Sequence, residues 1–215
     1  GCENNCLMTV NKFNDGRRFF TGNRCERGEG KVLEEENKVP NLYEYKFRKI
    51  FGYEPLEEKD AKRGVVGIPR VLNMYENYPF WHTFFTKLGF RVVLSPVSNK
   101  DMYEKGMETI SSDTACYPAK MVHGHIKWLV DNDVKWIFYP SINYERNEDD
   151  KSQNHYNCPI VATYPEVIAG NMDDVFDSMN VTFTHPFIPY DNDDYLEREL
   201  FKILDIKGVS RYEIK

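Results

Sequence analysis

The period of the apolar positions changes at about residue 64, and the change divides the chain. Before it, residues 7–13 and 17–22 each alternate like a short strand. Asn14-Asp15-Gly16 between them is a strong hairpin turn signal. Residues 28–41 are charged and contain glycine, with Glu34-Glu35-Glu36 in the middle, and read as a linker with a solvated acidic run. Asn41 can cap a helix over 42–50, which Gly52 ends.

After residue 64, short apolar runs alternate with helical patterns. Strands are expected at 64–68, 90–94, 134–139 and 181–183. Helices are expected at 75–88 with a break at Pro79, and at 101–110, 118–130, 164–169 and 193–204. Cys158-Pro159-Ile160-Val161-Ala162 reads as strand-like. Such alternation means βαβ units around a parallel sheet. The predicted class is therefore α/β: a parallel-sheet, Rossmann-like βαβ core with a small N-terminal β-hairpin module. The expected division is 1–30 for the hairpin module, 31–63 for linker and helix, and 64–215 for the α/β domain.

The 215 residues, 41% of them hydrophobic, suffice for a sizeable core. A net charge of −6 argues against nucleic acid as the main partner. No basic run suits an anionic membrane surface, and no segment approaches a membrane span. Gly1-Cys2-Glu3 lacks the features of a secretory leader. The start without Met suggests a fragment of a longer polypeptide, and a cytoplasmic location is expected. The five cysteines, an odd number unevenly spread, argue against a disulfide framework and for metal ligation or thiol chemistry.

Cys116 stands just ahead of the helix that Pro118 can open, since a proline there gives up only an N–H that would be unsatisfied anyway. Free backbone N–H groups and the positive dipole end favour an anion at such a position. A buried, inert thiol is the alternative reading. Cys2, Cys6 and Cys25 converge if the hairpin turns near Asp15, which places Cys25 opposite Cys6 and resembles half of a ribbon-type metal site. Clustered thiolates favour zinc or iron–sulfur centres. Pro118 and Pro159 close behind Cys116 and Cys158 also suit cluster ligation.

His123 and His125 are two apart and share no helix face, so they are not a zinc pair. They are expected to pack or to hydrogen-bond, as are His82 and His155. Gly124 between them is costly in a helix interior and points to a close backbone approach. No glycine-rich phosphate loop is present. Arg70 can meet an anionic group or pair with a carboxylate. A Cys-His-Asp nucleophile is weakened by the lack of an oxyanion hole and by the competing thiols.

Four segments carry a resemblance. They are Gly-Ile-Pro-Arg-Val-Leu-Asn-Met-Tyr-Glu-Asn-Tyr-Pro-Phe-Trp (67–81), Phe-Phe-Thr-Lys-Leu-Gly-Phe-Arg-Val-Val-Leu-Ser (84–95), Ser-Asp-Thr-Ala-Cys-Tyr-Pro-Ala-Lys-Met-Val-His-Gly-His (112–125) and Asn-Cys-Pro-Ile-Val-Ala-Thr-Tyr-Pro-Glu-Val-Ile (157–168). They resemble the uncharacterised domain found beside activase modules in CoA-substrate-specific enzyme activases of the 2-hydroxyacyl-CoA dehydratase and benzoyl-CoA reductase group. The cysteine-bearing stretch 2–28 resembles what precedes that domain there.

The resemblance implies a [4Fe–4S] cluster held by three cysteines, with Cys116 and Cys158 matching the motif style and Cys25 as the third. The N-terminal hairpin departs from that dehydratase pattern, so Cys2, Cys6 and Cys25 are alternatively a separate metal site, and zinc is the alternative ion. The implied partners are an ATPase activase module in the same or a companion chain and a CoA-thioester substrate. The phosphate motifs of that ATPase are absent from this sequence. The expected role is an electron relay in ATP-driven reduction. The alternative role is a zinc-stapled structural domain that docks the ATPase module.

Overall fold

The computed structural model describes residues 6–23, 25 and 40–215. Cys2 and the acidic run at 34–36 lie outside the described residues. The chain divides into two compact units, Gly1–Lys46 and Phe47–Lys215.

In the first unit, β1 (Thr9–Lys12) and β2 (Arg18–Thr21) pair antiparallel, with Thr9 opposite Thr21 and Lys12 opposite Arg18. Phe13 N donates to Arg17 O at 2.9 Å, and Gly16 takes the positive φ of +84° that the tight turn needs. Asp15 accepts from both the backbone N and the Nε of Arg17, at 3.0 and 2.6 Å. Phe13 and Phe19 remain more than half exposed, so the hairpin buries little of its own. The chain passes from the first unit to the second within α1 (Leu42–Phe51). Asn41 Oδ1 caps this helix by accepting from the backbone N of Tyr43 and Glu44.

The second unit is built on a four-stranded, all-parallel sheet of β3 (Val65–Ile68), β4 (Arg91–Leu94), β5 (Trp136–Phe138) and β6 (Thr182–Thr184). Its order is β4-β3-β5-β6. The crossovers carry α2 (Met74–Lys87), α3 (Lys100–Gly106), α4 (Tyr117–Asp131), α5 (Pro159–Asn171) and α6 (Asp173–Met179). After β6 come α7 (Asp193–Leu204) and a short α8 (Arg211–Ile214). The expected α/β class and N-terminal hairpin are both present.

Helices cover the sheet on both faces, as a parallel sheet requires. On one face, Trp81 and Phe85 of α2 meet Phe138 at 4.6 and 5.0 Å between ring centroids, and Phe85 meets Trp136 at 5.6 Å. Tyr190 joins this face against Phe80 and Trp81. On the other face, a methyl at Gly67 would stand 2.7 Å from Val134 Cγ1 and 3.2 Å from Leu129 Cδ2, so the missing side chain lets α4 approach the strand.

Two expectations change. The predicted strand-like segment at 158–162 is the first turn of α5, which runs unbroken to Asn171, so 164–169 is its interior rather than a separate helix. Cys158 as N-cap and Pro159 as the first helical residue fix that start. Its apolar run is helical because Tyr164, Pro165 and Ile168 are buried. The predicted break at Pro79 does not occur. A mid-helix proline costs about 3 kcal/mol, but α2 buries Met74, Tyr78, Trp81 and Phe85 and outweighs that cost.

Candidate functional site

The strand order reverses between β3 and β5, because the chain steps from β3 to β4 on one side and then crosses to β5 on the other. In open α/β sheets the ligand crevice lies beyond the carboxyl ends at such a reversal. Pro69-Arg70 leaves β3 there, Ser95 follows β4, Pro140-Ser141 follows β5, and His185-Pro186 follows β6. The parallel pairing continues past the strands through a bridge between Ser141 and Phe187.

A hydrogen-bonded chain centred on buried Ser95 and His125 runs along this edge. The backbone N–H of Arg70 donates to Ser95 Oγ at 2.7 Å, and Arg70 Nε donates to Ser95 O at 3.0 Å. Ser95 Oγ stands 2.7 Å from His125 Nδ1, and His125 Nε2 stands 2.9 Å from Ser98 Oγ. Because Ser95 Oγ already accepts from Arg70, the simplest arrangement has its hydroxyl donate to Nδ1 and leaves Nε2–H to donate to Ser98. His125 is fully buried. Burial first, and the charge of Arg70 second, hold its pKa down at about 4, so the ring is neutral. The relay therefore ends on Ser98, whose residue is exposed.

His123, two positions earlier on α4, is also fully buried. Thr109 Oγ1 lies 2.8 Å from its Nδ1 and the Tyr164 hydroxyl 3.1 Å from its Nε2. Burial lowers its pKa to about 4. Both histidines are thus packed and hydrogen-bonded, in line with the sequence expectation. Gly124 between them supplies the expected close approach. A methyl added to it would collide with the carbonyl of Met102 in α3, and one added to Gly106 of α3 would meet the backbone of His123 and Gly124.

Cys116 and Cys158 each occupy the N-cap of a long helix, α4 and α5. Both are free thiols and both are exposed, which removes the reading of Cys116 as a buried, inert thiol. The two helices pack on each other, joined by the His123–Tyr164 bond. Tyr164 carries the influence of Cys116. Burial first, and negative charge at that thiol second, push the phenol up to about 12. Cys158 has φ −52° and ψ 136°, the extended conformation that Pro159 imposes on the residue before it.

In the first unit, Cys6 is half-buried and Cys25 exposed, both as free thiols. Both lie beyond the paired residues Thr9–Lys12 and Arg18–Thr21. Cys2 lies outside the described residues. Among the described residues, no three His, Cys, Asp or Glu side chains converge as metal ligands. Cys116 and Cys158 are donors of the type an iron–sulfur centre uses, but two thiols are fewer than the four such centres usually take and than the three the resemblance implies.

Beyond β5 the edge opens into a cleft of about 360 Å³ lined by residues that include Asn77, Glu145, Arg146 and Tyr190. Glu145 fixes its wall by accepting from Asn77 Nδ2 at 3.1 Å and from Asn157 Nδ2 at 2.6 Å. Ser95, Ser98 and Glu145 escaped sequence reasoning. Position just past a strand end was the one available signal for Ser95; the others are assembled by contacts across the fold.

A family model described as the CoA enzyme activase uncharacterised domain matches residues 65–215. No curated protein and no solved structure gives a significant match.

Proposed function

The chain belongs to the CoA enzyme activase uncharacterised domain family, and from that membership we propose that it serves as the electron-relaying, cluster-bearing domain of such a system. Cys116 and Cys158 would be two of the ligands. A [4Fe–4S] centre would supply a low-potential one-electron couple. The observation that carries the reading is the placement of two exposed, free thiols at the N-caps of two packed helices. Helix N-termini favour the anionic thiolate and would stabilise the negative charge of a thiolate-ligated centre. Tyr164, whose hydroxyl donates to His123 Nε2, fixes α5 against α4 behind the two thiols. The partners on this reading are the ATPase activase module and a CoA-thioester-reducing enzyme.

The test is anaerobic purification of the full chain with iron, sulfide and zinc analysis. The same measurements are made on Cys116→Ala, Cys158→Ala and Cys25→Ala. Iron and acid-labile sulfide in the wild type, lost from the Cys116 and Cys158 variants, are expected. The Cys25 variant identifies or excludes a third ligand. Zinc without iron, or iron indifferent to both Cys116 and Cys158, overturns the proposal.

A further inference from the structure

Arg70 lies half-buried at the strand reversal, and nothing in the redox reading uses it. Its guanidinium stacks over Phe51 at 4.7 Å and Phe47 at 5.3 Å. Its Nε is spent on Ser95 O. Among the described residues, no carboxylate pairs with it, and neither terminal nitrogen donates a hydrogen bond. A cation taken partly out of water is ordinarily matched by an anion. Here the aromatic rings and the Ser95 carbonyl hold the fork in place, leaving its two terminal N–H₂ groups for a bidentate acceptor.

The backbone beside it suits the same ligand. Leu72 takes a positive φ of +40°, uncommon for a bulky residue, and Asn73 follows at φ −60° and ψ −20°. Successive residues of opposite hand make a concavity of N–H groups that binds anions. The N–H groups of Leu72 and Asn73 donate to no described residue. They precede α2, a helix of 14 residues whose dipole adds positive potential. Ser141 Oγ, a hydroxyl able to donate, is buried without a partner on the same edge. Burial also lowers the pKa of Arg70, the mark of a cation short of counter-charge.

We propose that Arg70, with the backbone N–H groups of Leu72 and Asn73, forms an oxyanion-binding recess at the carboxyl edge of the sheet, taking the carboxylate or phosphate group of a small acidic ligand. The inference is independent of any cluster.

Calorimetric titration of the full chain at low salt with inorganic phosphate, pyrophosphate and succinate tests it, alongside Arg70→Met and Arg70→Lys. Saturable binding of at least one probe is expected. Binding should weaken about tenfold or more in Arg70→Met and be partly kept in Arg70→Lys, which retains the charge without the fork. A response to the phosphates alone marks a phosphoryl ligand, and to succinate alone a carboxylate. The wild type gives a readout that needs no variant. The bound probe should shield Arg70 from phenylglyoxal, read by peptide mass spectrometry. Binding unchanged in Arg70→Met overturns the proposal, as does the absence of both saturable binding and shielding. Iron and sulfide content of the same variants should match wild type, so failure here and failure of the redox reading are told apart.

Discussion

Gly124→Ala tests the packing that positions Cys116. In an exposed helix interior this change stabilises by about 1 kcal/mol. Here α3 and α4 touch backbone to backbone. The new methyl would stand 2.7 Å from the carbonyl carbon of Met102, closer still to its oxygen, and 3.3 Å from Met102 Cγ. Ordinary contact begins at 3.4 Å, so relieving the carbon alone needs about 0.7 Å and relieving the nearer oxygen needs more. Gly106 faces the same crossing, with a methyl there 2.6 Å from His123 C, so α3 has no slack on that side. The obstacle is main chain, which no rotamer relieves. Overpacking against movable side chains costs about 1–3 kcal/mol, and this rigid case should exceed that range. After subtracting the helix gain, a net loss of about 3 kcal/mol is expected, or about 6–12 °C in Tm for a chain of this size. Thermal and urea unfolding measure it. Gly170→Ala is the matched control. That residue is exposed in α5 with nothing within 4 Å of the added methyl, so it should gain stability. Gly124→Ala as stable as wild type would refute the close crossing.

Two further outcomes follow from buried polar groups. Folding holds His123 and His125 neutral by lowering both from 6.5 to about 4. The unfolded chain therefore takes up protons first as pH falls below 6.5, and stability declines from there down to about pH 4, by at most about 3 kcal/mol per ring. Urea midpoints at pH 7.5 and 5 should show the decline, and His123→Gln should flatten it; an unchanged slope would sink the argument. Glu145→Gln turns an acceptor of two amide N–H bonds into a group that presents a competing donor. It should cost about 1–2 kcal/mol and speed proteolysis within 143–157; cleavage at the wild-type rate would show that the clamp does not hold that loop.

Elements whose local signals agreed with their burial were legible in the sequence. The Asn14-Asp15-Gly16 turn, the Asn41 cap and the α7 boundaries at Asp193–Leu204 emerge as read. Misreadings fell where tertiary packing reversed a local preference. Pro159-Ile160-Val161 looks extended by composition, yet proline at a helix start and the burial of Tyr164 and Ile168 make it α5. α6, opening on Asp173 and Asp174, was missed because seven residues are too few for a clear period. In the candidate site, Cys116 could be placed at a helix start from its own neighbours. The Arg70–Ser95–His125–Ser98 chain could not, because it joins residues 25 to 30 positions apart through β-pairing that one sequence does not display.

The prolines behind the two N-cap cysteines also bear on how the site takes shape. A proline at the start of a helix arrives with φ already set, which eases the costly first turn. Helices form within about a microsecond, whereas the sheet must join Val65 to Arg91, Gly67 to Ile137 and Trp136 to Thr182, closures that are slower by nature. The turn that carries each thiol is therefore set by its own neighbours, and its conformation does not wait on the long-range pairing of the sheet.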